Sequence, residues 1–154
     1  MRIEARLQSL GLTLPPPRAP AYAYQAVVIE GGLAWVSGQL PWAGQVLRAT
    51  GKLGAGIDLA TGQDCARACV LAGLSVLAEA LGNLDRVRRI VKVTGFVASA
   101  AGFNDQPKVL DAASTLFAEI FGEAGRHARS AVGVAELPRD VPVEIEFVAA
   151  ISAA

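Results

Sequence analysis

The chain has 154 residues, a length that fits one domain with a buried core. Apolar residues make up 53% and charged residues only 18%, a lean surface for a monomer, so part of it is expected to lie against other subunits. Lys+Arg and Asp+Glu each total 14, which leaves no global field to gather nucleic acid or an anionic membrane; with a single His, His127, and no ligand-spaced Cys, His and carboxylate set, neither a metal nor another cofactor is expected.

Residues 2–10 place Ile3, Leu7 and Leu10 at the spacing of a short amphipathic helix. Leu14 to Pro20, with four prolines, interrupts regular structure and is expected to run extended along the outside of the domain. Residues 1–20 thus form a lead-in, and residues 21–154 the domain proper. Ala26–Ile29 and Leu33–Ser37 predict a hairpin around a Gly31-Gly32 turn. A glycine-rich broken region follows from Pro41 to Asp58, with a short strand expected near Gln45–Leu47. Thr61 and Asp64 suit a helix start. Ala66, Cys69, Val70, Gly73, Leu74, Leu77 and Leu81 then recur on one face for about five turns, up to Gly82. Cys65 and Cys69 stack on that helix, where buried reduced thiols are a better reading than a disulfide.

Ile90–Val97 is a β-rich run suited to a central strand. Asn104-Asp105-Gln106-Pro107 opens a second helix, with Val109, Leu110, Ala113, Leu116, Phe117, Ile120 and Phe121 on its inner face. The order β-β-(β)-α-β-α-β-β predicts a two-layer α+β domain: a mixed sheet with two main helices on one face, the other face open to water or to another copy. The start Met1-Arg2-Ile3-Glu4 has no apolar secretory core behind it, and no run reaches membrane-spanning length without charge or glycine breaks, so a cytoplasmic protein is expected.

The final segment carries the candidate chemistry. Ala128–Val134 and Val143–Val148 read as strands around a turn containing Pro138. Period-two alternation puts Arg129 with Ala131 and Gly133 on one face, and Glu144 with Glu146 opposite Val143, Ile145 and Phe147. An Arg beside small residues and near a carboxylate can hold a small anion; a solvated or ion-paired sheet face gives the same pattern.

Two ordered motifs add a resemblance. Arg129-Ser130-x-Val132-x-Val134-x-x-Leu137-Pro138 followed by Val143-Glu144-Ile145-Glu146 resembles the carboxy-terminal motif of the Rid family, also called YjgF or endoribonuclease L-PSP. Tyr24, Gly31 and Val36-Ser37-Gly38-Gln39-Leu40-Pro41 match it at the amino-terminal side, and the chain looks closest to a branch with an amino-terminal extension. The resemblance implies a chorismate-mutase-like fold, a homotrimer packed around the open sheet faces, and a ligand pocket where subunits meet. It implies that Arg129 holds a carboxylate through its planar fork, unless it serves a structural ion pair. It aligns Glu144 with the glutamate that handles the attacking water; pairing with Arg129 or a neighbouring subunit is the competing role. Tyr24, Ser37, Gly38, Ser130 and the backbone of Ala131 are implied around the ligand, with Glu146 structural. Two departures bear on substrate identity: Ala131 stands where many members carry cysteine, and Asp111 where the core deaminases have asparagine. Trp42, in the broken region, either reshapes the pocket or covers it.

The activity implied is cofactor-independent hydrolysis of 2-imino or enamine acids to 2-keto acids and ammonia. A non-catalytic small-carboxylate binder uses the same Arg129, and Glu144 discriminates between the two. Ribonuclease activity, suggested by one family name, ranks last: the chain is neutral and has neither paired histidines nor a basic stripe.

Overall fold

The computed structural model describes residues 2–153. Helix α1 (Ile3–Ser9) is followed by strands β1 (Val27–Glu30) and β2 (Leu33–Gln39), the short pieces β3 (Trp42–Ala43), β4 (Val46–Leu47), β5 (Lys52–Leu53) and β6 (Gly56–Ile57), and helix α2 (Leu59–Leu81). Then come β7 (Val87–Ala98), α3 (Gln106–Phe121), β8 (Ala128–Val134) and β9 (Val143–Ile151). The main sheet is mixed, in the order β1-β2-β9-β7-β8.

Gly31 and Gly32 both adopt positive φ, 58° and 75°, as a two-residue hairpin turn requires. β8 and β9 do not pair with each other. β7 lies between them, antiparallel to β9 and parallel to β8, and β8 forms one edge of the sheet. Alternation assigns a residue to a face but says nothing of which strand is its neighbour, so the two strands could be read from the sequence while their separation could not.

α2 begins at Leu59, earlier than the Thr61 start expected, because the Asp58 carboxylate caps it by accepting from the Thr61 N–H at 2.8 Å. The expected inner residues are buried on both helices, with Phe121 half-buried. They pack on Val36, Val93, Val97, Val143, Ile145 and Phe147, which share the helix-covered face of the sheet. Gly95 lets α3 approach, since a Cβ there would overlap the Leu110 side chain. Cys65 and Cys69 are free and buried; burial raises the Cys65 thiol to about 11 and Cys69 well above its ordinary value.

The lead-in is more than a strap along the outside. Leu7 is 6% exposed and belongs to the core, with Ile3, Leu10, Leu12 and Leu14 packed against it. The expected short strand is β4, which pairs with β3; the parallel β5–β6 pair in the same region was not expected. Trp42 lines a cleft of about 590 Å³ together with Pro15, Arg18, Gln39 and Arg48; the Arg18 guanidinium sits 3.8 Å over its ring, and the Arg139 guanidinium lies 5.6 Å from the ring centre.

Candidate functional site

Arg129 pairs in register with Val93, so its side chain rises on the helix-covered face at the edge strand, against α3. It is 22% exposed. Nη1 donates to Asp111 Oδ1 at 2.9 Å and to Ser114 Oγ at 3.2 Å. Ser114 and the His127 Nε2 are 3.0 Å apart, and His127 Nδ1 lies 2.7 Å from the Gly125 carbonyl oxygen.

A carbonyl only accepts, so Nδ1 carries the proton. Neutral His127 then accepts the Ser114 hydroxyl proton at Nε2, and the Ser114 oxygen accepts from Arg129. Burial, with the Arg129 charge beside it, holds His127 below its ordinary value of 6.5, which favours this neutral form. Both protons of Nη1 are therefore committed. Among the described residues Nε and Nη2 make no hydrogen bond, leaving one side of the guanidinium fork for a ligand.

Ala131 shares this face, packed against the core. Ser130 does not: it points to the open face, where its hydroxyl accepts from Lys92 Nζ at 2.9 Å. Ser114 and His127 were absent from the sequence-based site. The signals were available, since Ser114 stands three residues after Asp111 on one helix face and His127 shares the parity of Arg129.

Glu144 pairs in register with Phe96 and lies on the open face. A Cβ at Gly38 would overlap its carboxylate, so the close approach that Gly38 permits is to Glu144. Glu144 has no hydrogen-bond or ion-pair partner among the described residues. Burial raises its pKa above 4.5, and the Glu146 charge adds to the shift. Among the described residues no cation stands beside it, so of the two roles read from the sequence the pairing with Arg129 is not made within one chain. Ser37 Oγ donates to the Gln25 carbonyl at 2.6 Å and its N–H to Ala26, so Ser37 fixes the stretch after Tyr24. Tyr24 is half exposed.

The predicted residues thus fall into two groups. Arg129 and Ala131, with Asp111 of α3, stand on the helix-covered side at the β8 edge; Ser37, Ser130 and Glu144 lie on the open face, with Gly38 against Glu144 and Tyr24 before β1. Arg129 and Glu144 are offset by about 10 Å along β7, three residues, and by about 10 Å across it, two strand spacings, and they face opposite sides of the sheet. One chain does not bring them together.

The family model described as "YjgF/chorismate_mutase-like, putative endoribonuclease" matches residues 4–145. This chain belongs to the YjgF family. Among relatives of this YjgF-family chain, Protein TCP17 of Trypanosoma cruzi is 47% identical over 146 residues, covering 94% of this chain and 91% of that protein. A Shewanella oneidensis structure named "putative endoribonuclease" is 32% identical, with a TM-score of 0.95 over 98% of this chain and 100% of that one. E. coli TdcF with bound serine is 29% identical, with a TM-score of 0.62 over 91% of this chain and 96% of that one. The mixed α+β fold agrees with these relatives. Among the described residues no helix is long and apolar enough to cross a membrane, and no group of three or more His, Cys, Asp or Glu side chains could hold a metal ion.

Proposed function

We propose that the protein hydrolyses reactive 2-imino or enamine acids to 2-keto acids and ammonia, at an anion pocket formed where subunits of a homotrimer meet. The observation that carries this reading is the Arg129 guanidinium: it is mostly buried and orientated by Asp111 and Ser114, yet one side of its fork is uncommitted. A carboxylate fits that side with two parallel hydrogen bonds. The bound serine named for TdcF supports a ligand of this size and charge.

Glu144 supplies the second function from a neighbouring copy. Its unpaired, partly desolvated carboxylate takes a proton from water as the oxygen adds to the imine carbon. Protonated Glu144 returns that proton to the nitrogen, which, protonated once more from solvent, is expelled as ammonia while the hydroxyl gives up its proton and the carbonyl forms. Imine, water and the solvent proton balance to keto acid and ammonium, and an enamine enters the same path after protonation at carbon. No step calls for a metal or another cofactor.

The alternative is a binder that uses Arg129 alone, and the separation of Arg129 from Glu144 within one chain favours it. A coupled assay that generates 2-iminobutanoate in situ decides between them. The enzyme should accelerate keto-acid formation and Arg129→Ala should abolish the acceleration. No acceleration by wild type, with 2-oxobutanoate still bound, leaves the binder.

A further inference from the structure

We infer that Asp111 makes the Arg129 pocket selective for ligands that carry a cationic nitrogen beside their carboxylate, against simple carboxylates of the same shape. This rests on the reading of Arg129 as the carboxylate holder. Asp111 bonds the guanidinium at 2.9 Å, and its side chain is 65% exposed while that of Arg129 is 22% exposed. The acid is therefore the exposed partner of the pair and the base the sheltered one, so a ligand that reaches Arg129 from solvent meets Asp111 beside it. Asp111 and Ser114 take both protons of Nη1, and His127 holds the Ser114 hydroxyl, so the ligand's carboxylate approaches Nε and Nη2.

Two carboxylates then share one guanidinium. With an oxo acid the group carries a net negative charge. With an α-amino or α-iminium acid the ligand's own cation cancels it and faces the acceptor that Asp111 presents. Like charges about 6 Å apart, part screened by water, correspond to roughly a tenfold difference in affinity. The consequence for the proposed reaction is directional. The iminium substrate is held as a zwitterion, and hydrolysis removes the cationic nitrogen, so the keto acid is left against Asp111 and departs. Asparagine at this position would lack that discrimination.

The test is isothermal titration of the full-length protein with 2-aminobutanoate and 2-oxobutanoate, which differ at the nitrogen. Wild type should bind the amino acid about tenfold more tightly. Asp111→Asn, isosteric and on an exposed helix face, should erase the preference by tightening the oxo acid and weakening the amino acid. Added salt should shrink the wild-type preference. An unchanged ratio in Asp111→Asn, or a wild-type preference for the oxo acid, overturns the inference while leaving Arg129 in place. Binding of both ligands that survives Arg129→Ala, or that is absent from wild type, overturns the carboxylate reading itself and the inference with it.

Discussion

Gly38 and Glu144 make a contact that no other residue at position 38 could share, because a Cβ would occupy the place of the Glu144 carboxylate. Gly38→Ala should therefore turn Glu144 aside and mimic Glu144→Gln. Each should lower turnover of an imine by about 100-fold or more while 2-oxobutanoate still binds at Arg129. A Glu144→Gln enzyme as fast as wild type would refute the assigned role and leave the Arg129 pocket standing. The same carboxylate sets a pH dependence. Glu144 acts only when ionised, and burial together with the Glu146 charge raises its pKa, so activity should fall as pH drops through a value above 4.5. Glu146→Gln should move that acid limb to lower pH, read from kcat/KM profiles. At this scale the sequence was informative about faces: the parity of Arg129, Ala131 and Gly133 is the one observed. It could not say which face the helices cover at β8, nor that Asp111, Ser114 and His127 converge on one guanidinium, because those contacts depend on where α3 lies over the strand.

Among the elements, the two long helices were legible because their apolar residues recur at helical spacing over many turns, and each has a start signal nearby. The start of α2 was misplaced because two caps compete in Asp58-Leu59-Ala60-Thr61-Gly62-Gln63-Asp64. Asp58 prevails, its carboxylate reaching the Thr61 N–H. The β5–β6 pair escaped notice because each piece has only two residues, set among Gly51, Gly54 and Gly56, all at positive φ. Such a segment has no periodicity to read. The contact between α3 and β7 offers a direct stability test. Gly95→Ala would drive a methyl into Leu110, which is fully buried, and should cost about 1–3 kcal/mol. Urea unfolding should show a lower midpoint with an unchanged slope; an unaltered midpoint would mean that α3 shifts without penalty.

The whole molecule has one feature that its own fold does not resolve. Trp35 and Val28 are half exposed on the open face, beside Val148, Lys92 and Glu146, around a cleft of about 350 Å³. An apolar patch mixed with charges suits another copy of the chain better than water. A homotrimer is the expected state, measured by light scattering after size exclusion; a monomer at micromolar concentration would remove the proposed pocket between subunits. Because Arg129 and Glu144 lie on opposite sides of one sheet, each site in the trimer would take its arginine from one chain and its glutamate from the next. Complementation tests this arrangement. Arg129→Ala and Glu144→Gln are each expected to be nearly inactive alone. If equal amounts are unfolded together and refolded, chance pairing makes about a quarter of the junctions wild type, each combining an intact Arg129 and an intact Glu144 from different chains. Activity should recover to about that fraction of wild type and should stay absent when the two proteins are mixed without unfolding and do not exchange subunits. Recovery after refolding places the two residues in one site across a subunit boundary. A refolded mixture that remains inactive, with trimers confirmed by light scattering, would mean that the two residues do not work together across that boundary.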